Sequence, residues 1–351
     1  MNDENGSAVI VENGSPLFTG STSSGESQIR RWILEQDLLE AVIALPTDMF
    51  YNTGIATYLW VLSKHKRKER QGKVQLIDAS KMFHPLRKSL GNKRNEITAA
   101  DRKQIVELYT SFQEGELCKI FDNEDFMYRE YAVMQPLQRS YSITDESLER
   151  MDAKGSLNNL YDEGKVQSWQ ESEEELSAKD KKKLAAYLQH KPLYDAILTA
   201  LKGARQDTKY MSPEEFMPVL QDTLQSVTTD KKLLAKIADG LSVMDKEAVI
   251  QRDKKGNIIY DKETKDIEIV PYKVHIDDYM AKEVWPYVPD AKAFFEEDPS
   301  KKKPVIKTGA EIPFTRYFYK YEAPTPVEEL EKQFNELEES VAARIQKLFG
   351  N

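Results

Sequence analysis

Only eight residues, Thr47 to Gly54, separate two strongly apolar runs, Leu39–Pro46 (L-E-A-V-I-A-L-P) and Ile55–Lys64 (I-A-T-Y-L-W-V-L-S-K). Both read as strands. A parallel crossover needs about a dozen residues or more, so the second run must return antiparallel to the first. The residues before them have a different rhythm. Ser7–Glu12 (S-A-V-I-V-E) reads as a short buried strand, Asn13-Gly-Ser-Pro16 as a turn and Phe18–Gly25 as a Gly/Ser/Thr loop. Ser23 with Glu26 resembles a capping box, opening a helix with Ile29, Trp32 and Ile33 on the inward face and Arg30, Arg31 and Glu35 on the other. Strand, helix and strand within about forty residues predict a parallel, right-handed βαβ unit. Lys73–Asp78 (K-V-Q-L-I-D) is then expected to pair with the returning strand across the charged turn His65–Gly72. A parallel sheet that ends in an antiparallel edge strand follows.

Thr98 and Asp101 open a second helix with Ile105, Leu108, Tyr109 and Phe112 inward, and Phe126–Val133 resembles a strand. Beyond Thr144, charged tracts such as Glu173–Glu175 and Lys181–Lys183 alternate with apolar residues three and four apart, which predicts mostly helix over 145–247. Val249–Tyr272, with turn residues Asp253–Gly256, reads as a small β excursion. The last element is a long helix with Thr325 as N-cap and Pro326 in the first helical position. Its apolar residues Leu330, Phe334, Leu337, Val341, Ile345 and Leu348 form a nearly heptad seam, which calls for a partner helix or for packing against the chain's own helices between 145 and 247. Three regions result: 1–140, 141–308 and 309–351.

A net charge of −9 argues against a freestanding, high-affinity nucleic-acid binder. Between Lys64 and Lys103, however, thirteen Lys/Arg face four Asp/Glu, a basic stretch in an acidic chain that is either a phosphate-contacting surface or a solvated turn and helix. Cys118 is the single cysteine, so no disulfide framework exists and a reducing cytoplasm is the expected setting. The opening Met1–Gly6 has neither the basic nor the apolar region of a signal peptide, and no apolar run approaches the roughly 20 residues of a membrane span.

Self-sufficient catalytic chemistry is missing. There is no G-x-G fingerprint, no phosphate-binding G-x-x-x-x-G-K-[ST] loop and no G-x-S-x-G elbow. His65, His84, His190 and His275 lie far apart without metal-ligand spacing, and Cys118 reads as a small hydrophobe.

Several blocks nevertheless occur in a telling order: Asn13–Gly20 (N-G-S-P-L-F-T-G), Gly25–Glu35 (G-E-S-Q-I-R-R-W-I-L-E) and Leu45–Leu62 (beginning L-P-T-D-M-F-Y-N-T-G). Lys88–Ile97 (K-S-L-G-N-K-R-N-E-I), Phe121–Phe126, Gln135–Arg139 and Glu311–Tyr321 follow. Together they resemble the methylation subunit of type I restriction–modification systems, an N6-adenine DNA methyltransferase family. The resemblance covers 7–140 and 309–350 well and the middle loosely.

It implies an α/β fold: the C-terminal half of a class I S-adenosylmethionine-dependent (Rossmann-like) methyltransferase sheet with an antiparallel edge strand. A largely helical region and a coiled-coil-like C-terminal helix would follow. The family's donor loop and its Asn-Pro-Pro-Phe/Tyr motif lie upstream of the block matching Asn13–Gly20, and this chain has no Pro-Pro pair. The chain alone is therefore expected to be inactive, with S-adenosylmethionine serving only the complete enzyme. Phe50 and Tyr51 are candidates for lining the target-base pocket, or else they close the end of the sheet core. Arg87, Lys88, Lys93 and Arg94 are candidates for contacting DNA phosphate. The implied partners are a specificity subunit docking on the Leu330–Leu348 seam, a second methylation subunit, a restriction subunit and, through the complex, double-stranded DNA. A non-catalytic adaptor that keeps the docking helices is the alternative. The intact strand block Ser7–Asp78 favours the methyltransferase.

Overall fold

The computed structural model describes residues 5–172, 176–295, 306–321 and 323–349; part of the opening segment, Met1–Glu4, and the Glu173–Glu175 tract fall outside them. Along the chain, β1 (Ser7–Asn13), α1 (Ser15–Phe18), α2 (Gly25–Glu35), β2 (Leu39–Leu45), β3 (Thr57–Ser63) and β4 (Lys73–Asp78) come first. Then follow β5 (His84–Leu90), β6 (Lys93–Glu96), α3 (Ala99–Ser111), β7 (Cys118–Asp122) and β8 (Met127–Pro136). The chain divides into two compact units: the described residues of 1–130, 271–273 and 297–351 form the first, and 131–270 with 274–296 the second.

The first unit is built on a five-stranded sheet in the order β1-β3-β2-β4-β7. β3 runs antiparallel to β2, as the eight-residue connection requires, but it does not lie at an edge. It sits between β1 and β2, antiparallel to both, so those two strands are parallel to each other without touching. β4 does not pair with β3. It pairs in parallel with β2 on the other side, Ala41 opposite Gln75, and β7 closes that flank antiparallel. The position of β2 explains its composition: flanked on both sides and buried throughout, it has to be a continuous apolar run rather than an alternating one.

Two further expectations change. β1 is not buried: it is an end strand, and Val9, Ile10 and Val11 are 62, 42 and 50% exposed. α2 departs in part from its apolar spacing. Ser27, Arg30 and Leu34 face inward and Ile33 packs partly buried against the core, while Ile29 and Trp32 are exposed. Arg30 sets this orientation. Its guanidinium donates to the carbonyls of Ala310 (2.7 Å), Pro16 (2.9 Å) and Thr19 (2.8 Å), so each nitrogen of a buried cation makes a hydrogen bond. The cap of α2 is Ser24 rather than Ser23. At α3 the expected box is present: Thr98 accepts from the Asp101 amide (3.3 Å) and Asp101 from the Thr98 amide (2.8 Å).

The second unit holds β9 (Arg139–Ile143), α4 (Asp145–Ala153), α5 (Glu163–Gln170), α6 (Ala178–Gly203), β10 (Gln206–Tyr210), α7 (Pro213–Leu224), α8 (Lys231–Leu241) and β11 (Ser242–Met244), with helix predominating between Asp145 and Leu241. A three-stranded sheet, β10-β9-β11, also runs through it, which the helical spacing does not predict. Its helices close over Ile143, Ile197, Leu201, Phe216, Leu220 and Ile237. The β excursion is β12 (Tyr260–Pro271), preceded by a turn with Gly256 at φ +85°. α9 (Ile276–Tyr279) and β13 (Lys292–Phe295) complete the unit.

The chain returns to the first unit with β14 (Thr308–Ala310), paired antiparallel with Met127–Arg129, and with α10 (Phe314–Phe318). Phe314 meets Tyr58 edge-on at 5.3 Å, and Tyr317 lies 4.2 Å from Phe121, so this aromatic segment is anchored in the sheet's core. α11 (Val327–Phe349) starts one residue later than expected, with the Pro326 carbonyl accepting from Leu330.

Candidate functional site

The loop between β2 and β3 and the hairpin β5–β6 form one structure. The Asp48 carbonyl accepts from the amides of Arg94 (2.9 Å) and Asn95 (3.2 Å), and the Tyr51 carbonyl accepts from Asn92 (2.9 Å). The buried Asn95 side chain donates to the Thr47 carbonyl (3.0 Å). Gly91 makes this fit possible. Its φ is +63°, and a Cβ there would lie 2.6 Å from the Tyr51 carbonyl. Asp48 also takes a left-handed conformation, φ 58°, and Phe50 bridges Thr53 to fold the loop tip back on itself.

This clamp brings together candidates that the sequence placed forty residues apart. Lys93 Nζ lies 5.4 Å from the ring centre of Tyr51, within cation–π range. Tyr51 is 65% exposed and Phe50 half-buried. Arg87, Lys88 and Arg94 are exposed, and among the described residues none of these three nor Lys93 pairs with a carboxylate. At the hairpin base His84 lies 3.6 Å from Asp101, whose acidity is raised chiefly by the Thr98 side-chain hydrogen bond.

The rest of the basic stretch is partly structural. Lys66 is buried, donating to Asp37 (2.5 Å) and the Lys73 carbonyl (2.7 Å), and burial lowers its pKa. Arg70 is buried between the rings of Tyr109 and Phe112 and faces Glu40 at 3.4 Å. Lys73 pairs with Asp122. A charge count cannot make this division; the hairpin, like the exposed Arg67, Lys68 and Lys81, presents cations outward that pair with no carboxylate among the described residues. Its turn did carry a signal, the Gly91-Asn92 pair between two basic runs. The clamping role of Asn95 carried none.

The other candidate surface is α11. Leu330, Phe334, Leu337, Val341, Ile345 and Leu348 are all exposed. Among the described residues no group of His, Cys, Asp and Glu could hold a metal, and no helix is long and apolar enough to cross a membrane. The apolar groove beside β1 is lined by one buried cation, Arg30, which already donates to three carbonyls.

Residues 1–146, which build the sheet, the loop and the hairpin, match the N-6 DNA Methylase family model. This part of the chain is similar to N-6 DNA methylases. The chain is 30% identical over 163 residues to the type I restriction enzyme MjaVIII methylase subunit of Methanocaldococcus jannaschii, covering 46% of this chain and 27% of that protein. It is 32% identical over 106 residues to the HindI methylase subunit of Haemophilus influenzae, covering 30% and 22%. A crystal structure of the type I restriction–modification methyltransferase subunit from Streptococcus thermophilus matches at 31% identity, covering 36% of this chain and 25% of that one, with a TM-score of 0.31. The family match and the two curated relatives bear out the resemblance to type I methylation subunits, and the chain spans about a quarter of the length of these relatives.

Proposed function

We propose that this chain forms the C-terminal part of the methylation subunit of a type I restriction–modification enzyme, which in its complete form methylates adenine N6 in double-stranded DNA with S-adenosylmethionine. The observation that carries this reading is where the family match falls. It covers the five-stranded sheet together with the loop and hairpin that cluster aromatic and cationic side chains.

The sheet is taken as the back half of a class I methyltransferase sheet, and Tyr51 with Phe50 as aromatics against which an extruded adenine stacks. Flipping a base costs a few kcal/mol of unstacking, which an exposed aromatic surface partly restores. Arg87, Lys88, Lys93 and Arg94 would hold the flanking phosphates, fixing the duplex without reading its sequence. The adenine amino group is a poor nucleophile and needs acceptors for its protons. Those belong to the Asn-Pro-Pro motif, which this chain lacks. The α11 seam would dock the specificity subunit, with a second methylation subunit and a restriction subunit completing the assembly. That exposed seam is also the observation favouring the alternative, a non-catalytic adaptor.

The test is methyl transfer into DNA adenine by the chain alone and by the chain supplied with a polypeptide carrying the donor loop and the Asn-Pro-Pro motif. The chain alone is expected to bind no donor by calorimetry and to transfer nothing, while the supplemented chain is active. Stoichiometric donor binding at micromolar affinity by the chain alone overturns the expected inactivity, and a supplemented chain that assembles but never methylates favours the adaptor.

A further inference from the structure

The core of the second unit leaves one stripe of α8 facing outward. Leu234, Ile237, Ala238, Gly240 and Leu241 are buried, most of them on the core shared with Phe216 and Leu220 of α7. Gly240 seats the helix, because a Cβ there would lie 2.5 Å from Ser156 Oγ and 2.6 Å from the Met151 Cγ of α4. On the opposite side Lys231, Lys232, Ala235 and Asp239 are exposed and Lys236 is half-buried.

Among the described residues these three lysines make no ion pair, whereas Lys191, Lys209 and Lys246 of the same unit pair with Asp195, Asp245 and Asp290. The neighbouring Asp230 is turned onto the Lys232 amide (2.8 Å) as N-cap. Only residues 225–230 separate α7 from α8. Between the end of one helix and the start of the other opens a cleft of about 450 Å³, whose walls include Gln221, Gln225, Thr228, Thr229 and Lys231. Asp222, also on its wall, already accepts from the Gln225 side chain (3.1 Å). Amides, hydroxyls and ammonium groups are the side chains that hold phosphate oxygens beside a duplex.

We propose that α7 and α8 form a surface for duplex DNA, with the outward stripe of α8 in the major groove and the cleft at its start against the phosphate backbone. A helix about 10–12 Å across fits the major groove of B-DNA, about 12 Å wide, and a helix that follows a short turn and presents its first residues to the bases is a recurrent way of entering it. Lys231, Lys232 and Lys236 would meet phosphate or guanine acceptors, and Asp239 can accept from a cytosine amino group. Charge decides the partner. The stripe offers a duplex three uncompensated cations, and it offers a protein no apolar side chain larger than that of Ala235. Both helices lie beyond residues 1–146, so this surface is separate from the methylase match and from the β5–β6 hairpin. Because the chain carries a net −9, the contact orients a duplex rather than gripping it alone.

The test measures binding of the full chain to a fluorescent DNA duplex by anisotropy, from about 50 to 200 mM salt. Lys231→Gln with Lys232→Gln and Lys236→Gln is compared with Lys179→Gln, Lys182→Gln and Lys202→Gln, which removes the same charge from exposed positions of α6. The α8 variant should bind at least about tenfold more weakly at the low-salt end, with a slope of log affinity against log salt shallower by roughly 0.9 for each lysine that meets a phosphate. The α6 variant should not. Duplex RNA of equal length, whose major groove is too deep and narrow for side chains to read, should not respond to the α8 substitutions. In the unsubstituted chain, bound DNA should shield Lys231, Lys232 and Lys236 from amine acylation and leave Lys179 and Lys182 reactive. The four hairpin substitutions are measured alongside, so that either contact can fail without the other.

No DNA binding at about 50 mM salt, unchanged affinity and slope in the α8 variant, or an equal loss in the α6 variant overturns the surface. An equal loss on duplex RNA overturns the major groove as its seat. If the α8 variant melts earlier than the unsubstituted chain, the acylation pattern decides: α8 lysines that stay reactive with DNA bound overturn the surface, and shielded ones support it.

Discussion

Arg30 is a charged side chain in the place of a core residue. With 2% of its surface exposed and its guanidinium spread over three carbonyls, it joins the α1 loop to β14. Arg30→Met keeps the volume of the stem but leaves those carbonyls in a dry site. A loss of about 3 kcal/mol is expected from urea unfolding of the full chain, with Arg30→Lys intermediate because an ammonium cannot span all three. Helical periodicity could not have read this, because it treats arginine as a solvent-facing residue and the receiving carbonyl of Ala310 lies 280 positions away. Asp122 illustrates the acid side of stability. Lys273 and Lys73 hydrogen-bond its carboxylate and hold its pKa at about 2. A group whose pKa falls on folding contributes stability above its unfolded value, near 4, and that contribution is lost as the pH falls towards 2. Asp122→Asn should make the decline in melting temperature between pH 4 and pH 2 shallower. The effect will be modest, because the side chain is 46% exposed.

Among the elements, what could be read from the sequence was local. β1, β2, β3 and β4 announce themselves as apolar runs, and the α3 cap as Thr98 with Asp101. Neighbour order did not, because nothing in the composition of β3 says that it slips between β1 and β2. The loop and hairpin were visible as separate candidates, whereas the backbone bonds from Asp48 and Tyr51 that make them one site were not. If the hairpin cations meet phosphate, replacing Arg87, Lys88, Lys93 and Arg94 by Ala in the complete enzyme should weaken binding to all DNA sequences alike. The slope of log affinity against log salt should also become shallower, by roughly 0.9 for each phosphate no longer neutralised. An unchanged slope would return these residues to a solvated surface. The seam of α11 makes a separate claim. If the seam docks a specificity subunit as proposed, Leu337→Asp with Val341→Asp, both at exposed positions, should leave thermal unfolding of the isolated chain unchanged while abolishing co-purification with that subunit. A destabilised chain with an intact complex would place the helix in this chain's own core.

At the scale of the whole molecule, the bonds that seal α2 carry a cost in time. Gln28, Ser27 and Arg30 take their partners from Thr308 and Ala310, 280 to 283 residues later, with the second unit encoded between. A ribosome adds about 5–20 residues per second, so roughly 15–60 s pass between the synthesis of α2 and that of the strand that closes over it. During that interval a guanidinium destined for burial waits in water beside half-made apolar surface, while the intervening residues have time to fold. α2 is thus made long before the strand that finishes it, and a nascent chain halted before residue 308 should expose α2 to protease where the released chain does not.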